Sequence, residues 1–233
     1  MTKAAIALLF AISLMGCAYK VEPQAQPAVN IYTTYEDKLP GNYVLVADDS
    51  LKNLKREVKP SSYVCSAMTY PTDIGPSLVT SLNSTLQKVA DNVQVAETGV
   101  SVDKISADAQ QRVVFVRLDS FSPRLSCSPG FFEGYCTASA DMSLGVTVTG
   151  PNGKLFSSSV GSSRSADGGS GSACDGGAKV LTQAIELTMR DTMERMAERL
   201  SASTKLRAVP DMDKVVPAAG KPQEQKQAKV VSK

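Results

Sequence analysis

Four cysteines, Cys65, Cys127, Cys136 and Cys174, are the residues of this 233-residue chain best equipped for chemistry. Thiols can pair, ligate a metal or act as nucleophiles. Nucleophilic use needs a base, and the chain has no histidine. That excludes Ser-His-Asp and Cys-His catalysis, His-ligated zinc and histidine pH switching. No CxxC pair occurs, so neither a metal nor a cofactor is expected. The run from Gly168 to Lys179 is rich in glycine but lacks GxxxxGK[ST] spacing, because Val180 follows Lys179. No GxSxG elbow occurs. Asp48-Asp49 are the only adjacent aspartates and read as a solvated turn. Phe131, Phe132 and Tyr135 crowd into the segment between Cys127 and Cys136 and are candidates for contacting a partner protein. An enzyme is therefore not expected.

A fifth cysteine, Cys17, stands in a different setting. Lys3 supplies a positive start, and Ala4 to Met15 form an apolar stretch of 12 residues. That is too short for a bilayer core of about 30 Å and right for a signal peptide. The stretch ends in Leu14-Met15-Gly16-Cys17, which resembles a bacterial lipobox. The resemblance implies cleavage between Gly16 and Cys17, diacylglycerol on the cysteine sulfur, and an acyl chain such as palmitate on its amine. Ala18 follows in place of aspartate, which in gram-negative sorting implies the outer membrane, with the body facing the periplasm. An exported chain meets an oxidising compartment, so the four remaining cysteines read as two disulfides. Cys127–Cys136 across a short loop is the favoured pair, which leaves Cys65 with Cys174.

The elements that must position these residues follow from periodicity. Tyr43 to Val46 and Ser62 to Thr69 are strand candidates. Pro76 opens a helix whose stripe of Leu78, Leu82, Leu86, Val89 and Val93 runs to near Asn92. Residues 97–111 read as loop, and Val113 to Leu118 as a central strand. Thr137 to Thr149 alternates apolar and polar residues, so one face is buried and the other wet. Asn152-Gly153 then turns the chain, and Leu155 to Val160 returns. Ser162 to Gly177 reads as Gly/Ser-rich loop. A long helix begins at an Asp175 cap. Its stripe is Ala178, Leu181, Ile185, Met189, Met193, Met196 and Leu200, with Glu186–Arg190 and Asp191–Arg195 as outer i,i+4 pairs. The methionines lie on the buried stripe and read as core packing. The fold class is α+β, an antiparallel sheet packed against two helices.

The expected organisation is a signal peptide over 1–16, a lipidated tether over 17–40, one domain over 41–207 and a disordered basic tail over 208–233. The net charge of +2 resides in the tail and the signal peptide, which leaves no basic face and no expectation of nucleic-acid binding. The lipobox, the helix from Pro76, the strand 137–149 with its Asn152-Gly153 turn, and the helix 175–202 together look like small outer-membrane lipoproteins of the YajG-like kind. More distantly, they are similar to the lipopolysaccharide-assembly lipoprotein LptE. The resemblance covers roughly residues 60–202 and implies a sheet on two helices; only Cys17 carries a role over. The expected function is a lipid-anchored, non-enzymatic assembly or scaffold accessory. Its partners would be the membrane, through the lipid, and a larger envelope protein. The alternatives are a component of a conjugation, pilus or secretion apparatus, or a glycan- or lipid-binding module.

Overall fold

The computed structural model describes residues 18–96, 111–130 and 134–208. The strands are β1 (Leu39–Ala47), β2 (Lys55–Val58), β3 (Tyr70–Asp73), β4 (Ala90–Val95), β5 (Gln111–Ser128), β6 (Tyr135–Gly150) and β7 (Gly153–Gly169). The helices are α1 (Asp49–Lys52), α2 (Gly75–Val89), α3 (Asp175–Ser201) and α4 (Thr204–Arg207). Five strands form one sheet in the order β4-β1-β5-β6-β7, and β2 and β3 form a separate antiparallel pair. The fold class is mixed α+β, as the periodicity implies. The sheet is not wholly antiparallel, however. β5, β6 and β7 form antiparallel ladders, whereas β1 runs parallel to both β4 and β5.

Hydrophobic patterning explains how the layers close. Along β6 the even-numbered residues Cys136 to Val148 are buried, and most odd ones are open or partly open. The buried row faces α3, which lies over β6 and β7, while α2 packs beside α3 and over β1 and β4. Leu78, Leu82, Leu86 and Val89 bury one face of α2. Leu181, Ile185, Met189, Met193, Met196 and Leu200 do the same for α3, so the methionines are core. At about 25 cal/mol per Å², each such side chain contributes on the order of 1.5–3 kcal/mol of transfer free energy.

Several local expectations give way to tertiary structure. The strand expected over Ser62 to Thr69 is a series of turns, and the nearby strand is β3. Helix α2 stops at Val89, and Val93 belongs to β4. The stretch Ser162 to Gly169 is the second half of β7, not loop. Asp48-Asp49 is the entry to α1: Ser50 Oγ donates to the Asp48 carboxylate, and Asp49 pairs with Lys52 at 3.4 Å. Asp191 and Arg195 do pair, at 3.6 Å. Glu186 and Arg190 instead turn to the N-terminal segment.

The tether expected over 17–40 is, from residue 18 onward, a strap laid along the body. Val21 and Ala28 are fully buried. The backbone N–H groups of Gln24, Gln26, Ala28, Asn30 and Tyr32 donate to Glu186, Ser81, Thr85, Glu194 and Glu198, at 2.8 to 3.4 Å. Alternate residues of an extended chain are about 6.6 Å apart. One four-residue step along a helix rises about 6 Å. The acceptor rows of α2 and α3 therefore match every second N–H of the strap. Pro23 and Pro27, which have no N–H to give, fall between these donors. Arg190 completes the grip through the Gln26 side chain at 2.6 Å.

Candidate functional site: the disulfide-clamped pole

Cys127 and Cys136 face each other across the β5–β6 ladder and are joined, with Cα atoms 4.0 Å apart. Cys65 and Cys174 are joined with Cα atoms 5.8 Å apart, across 109 residues of sequence. These are the pairings favoured from spacing. The folded chain stacks the two bonds, since the sulfurs of Cys65, Cys127 and Cys136 lie within 4.8 Å of one another. Sulfurs paired in this way present no thiolate to a metal. In the chain-entropy view the short loop is worth about 2.5–3 kcal/mol and the long one nearly 5 kcal/mol.

The backbone at this pole is unusual. Cys65 (φ +59°) and Cys174 (φ +67°) are the only non-glycine residues with positive φ among those described, and they are bonded to each other. The left-handed region costs an ordinary residue on the order of 1–2 kcal/mol, which the long cross-link offsets. Cys65 closes a turn, with the Met68 N–H donating to its carbonyl at 2.9 Å. Cys174 occupies the cap position of α3 that the sequence pattern assigns to Asp175.

Its sulfur is committed, so the first helical N–H groups are satisfied by the main chain. Gly176 N–H donates to the Ser170 carbonyl at 2.9 Å, and Gly177 N–H reaches the Cys174 carbonyl at 3.3 Å. The glycines are required by close approach. A Cβ on Gly176 would run into the Gly169 carbonyl oxygen, and one on Gly177 would lie 2.8 Å from the Tyr70 hydroxyl. The Gly-rich run thus seals a helix start against its own loop and leaves those two N–H groups unavailable to an anion.

Aromatic residues surround the clamp. Tyr70 is fully buried, and its hydroxyl donates to the Cys174 carbonyl at 2.7 Å. Burial pushes its phenol above the usual value. Tyr19 stacks on Tyr70 with centroids 6.1 Å apart and donates to the Ala173 carbonyl at 2.8 Å. Tyr135, half exposed, donates to the Asp167 carboxylate, and that hydrogen bond pushes its phenol up. Phe131 and Phe132, the other two candidates for partner contact, lie outside the described residues, as do Gly16 and Cys17. Tyr63 is 95% exposed and is hidden from sequence reasoning by the strand expected there. Only its place between Ser62 and Cys65, in a segment that also holds Pro60 and Ser61, hints at a loop.

The opposite pole carries a different cluster. Arg112 is buried, at 4% exposure, and no carboxylate pairs with it among the described residues. Its guanidinium donates to the carbonyls of Pro40 (3.2 Å), Leu206 and Ala208 (2.8 Å) and to the Tyr43 hydroxyl (2.7 Å). It also lies 5.5 Å from the centre of the Tyr43 ring. Burial raises the Tyr43 phenol, against the opposing pull of Arg112. A shallow groove of about 410 Å³ beside the strap is lined by Val21, Lys55, Pro71 and Asp73, with Lys55 and Asp73 paired at 2.9 Å. No nucleophile with an adjacent base occurs in it.

No protein-family model and no curated protein matches this chain. Solved structures share parts of its shape. A Xanthomonas campestris protein of the DUF330 family superposes with a TM-score of 0.46 at 9% identity, over 80% of this chain and 95% of its own. A minor lipoprotein from Acinetobacter baumannii gives 0.38 at 12% identity, over 71% and 94%. A neuraminyllactose-binding hemagglutinin homolog from Helicobacter pylori gives 0.36 at 12% identity, over 75% and 92%. Likenesses at these scores do not reach to function.

Proposed function

We propose that this chain is a lipid-anchored envelope lipoprotein that acts as a non-enzymatic assembly or scaffold accessory and binds a larger envelope component. The observation that carries the reading is the apolar leader ending in Leu14-Met15-Gly16-Cys17, followed directly by a strap that ties Ala18 to the body. Two disulfides suit an exported protein. No helix among the described residues is long and apolar enough to cross a membrane, so a lipid on Cys17 would supply the anchor. The finer assignment is to the outer membrane, with the body in the periplasm and a YajG-like or more distantly LptE-like architecture. It rests on Ala18 after the cysteine and on the order of elements.

Two measurements test this. Mass spectrometry of the chain purified from membranes is expected to find diacylglycerol and an amide-linked acyl group on Cys17, and Cys17→Ala should leave the precursor unprocessed. An unmodified Cys17 sinks the lipoprotein reading. In-cell cross-linking followed by pull-down is expected to return an envelope protein; recovery of none, with the lipid present, sinks the accessory role alone.

A further inference from the structure

If Cys17 carries a lipid, as the lipoprotein reading holds, the strap decides where that lipid sits. A free tether of some twenty residues would let the body wander about 25 Å from its anchor. Here Ala18 is bridged to Thr69, and the Tyr19 N–H donates to the Thr69 carbonyl at 2.9 Å. One trans peptide separates neighbouring Cα atoms by about 3.8 Å. The acylated residue therefore begins one residue from a fixed point on the body, and the pole containing Thr69 is drawn to the membrane surface.

That pole is rigid. Ser61 N–H donates to the Leu125 carbonyl at 2.9 Å, and Ser62 Oγ accepts from the Cys127 N–H at 2.7 Å, so the loop is pinned to the β5–β6 hairpin. The Ser66 N–H closes on the Tyr63 carbonyl at 3.3 Å, Cys65 is bonded to Cys174, and Thr69 follows. Tyr63 projects from this pinned loop at 95% exposure. Such a ring does nothing for the core. Tyrosine favours the bilayer interface, where the ring meets acyl chains and the hydroxyl stays among headgroups. Lys20 and Lys59 belong to the same end, but they are paired with Glu22 and Glu57 at 3.8 and 3.7 Å, so the end carries no net positive charge from them. Tyr135 is there too, but its hydroxyl is engaged by Asp167.

We infer that the disulfide-clamped pole is a membrane-contacting surface, with Tyr63 as an aromatic anchor at the headgroup level of the bilayer that holds the Cys17 lipid. This inference rests on the lipoprotein reading. The chain contains no tryptophan, so a single substitution gives a clean fluorescent probe. Tyr63→Trp protein, expressed from the full gene and purified from membranes, would be placed in vesicles of phosphatidylethanolamine and phosphatidylglycerol, with and without brominated chains. Tyr32→Trp is the reference, because Tyr32 is 80% exposed and lies farther along the strap, beside Glu198. Bromine should quench position 63 about twofold, with a blue-shifted emission, and leave position 32 nearly unchanged. Equal quenching at the two positions in a chain whose mass shows the lipid overturns the inference alone. So does an unquenched position 63 that cross-links to an envelope protein. A chain whose mass shows no lipid overturns the lipoprotein reading and this inference together.

Discussion

At one end of β6, Cys136 is bonded to Cys127 and stacked against a second disulfide. At the other, near Gly150, Arg112 gathers the carbonyls of Pro40, Leu206 and Ala208, and Arg207 reaches the Asp37 carbonyl at 3.1 Å. Both ends must hold segments that are distant in sequence, and both bury a tyrosine, Tyr70 at the first and Tyr43 at the second. The first end joins loops, left-handed backbone and glycine-rich chain, and covalent bonds carry it. The second meets carbonyls at the close of α4 and the start of β1, and a guanidinium with several donors is the side chain suited to collect them. The cross-link acts by restricting the unfolded chain, whereas the arginine acts in the folded state, where removing it leaves several carbonyls without a donor.

That contrast can be broken by mutation. Replacing Cys65 and Cys174 together by alanine should cost the most, approaching about 4–5 kcal/mol in urea unfolding, because the closed loop is long. Arg112→Met is expected to cost about 3 kcal/mol, from the orphaned carbonyls and the unpaired Tyr43 hydroxyl. If it were neutral, the arginine would be only a filler of space. Removing Cys127 and Cys136 should cost about 2.5–3 kcal/mol, less than the long bond by the loop-length term alone. Thr85→Val, which takes the acceptor from the buried Ala28 N–H, should cost about 1–2 kcal/mol and expose the strap to protease first. The smallest effect is on the pH profile. Tyr43 and Tyr70 both have phenols raised above their usual value of 10.0. A raised pKa means the folded state holds the proton more tightly. Their contribution is thus complete below about pH 10 and is lost as pH rises through the folded values. Tyr70→Phe should flatten the alkaline fall measured by denaturant titration at several pH values, and an unchanged fall would assign it to other groups.

Much of the fold is legible in the sequence where one force dominates. The stripes of α2 and α3 and the alternation of β6 report burial of a single face, the Asn152-Gly153 turn reports a glycine at positive φ, and the structure follows them. The disulfides are legible because few pairings of four cysteines exist. The misses have separate causes. Val93 continues the four-residue steps of α2, so β4 is absorbed into the helix. The second half of β7 reads as loop because its helix-facing residues are small. Ser162 Oγ donates to the Thr188 carbonyl at 2.8 Å, and a Cβ on Gly168 would lie 3.1 Å from Val180. Close approach of a helix selects serine, alanine and glycine, which are the residues of loops. The strap is invisible because it buries only a few apolar side chains and is held through backbone N–H groups, which leave no mark on residue type. Tyr63 is misplaced because alternation over a few residues does not distinguish a strand from successive turns.

The strap also has a consequence in time. Its hydrogen bonds to α3, α4 and the loop before α3 join residues 154 to 170 apart in sequence. Contacts of that separation form late, because the intervening chain must first be ordered. The groove that receives residues 18–38 does not exist until α3 has been made and packed beside α2. The N-terminal end, first to emerge, is therefore expected to be the last to dock. If the proposed lipoprotein reading holds, a signal peptidase would meet Cys17 on an unfolded chain. Pulse-labelled hydrogen exchange should find the amides of Ala28 and Asn30 protected after those of β5 and β6, and simultaneous protection would refute that order.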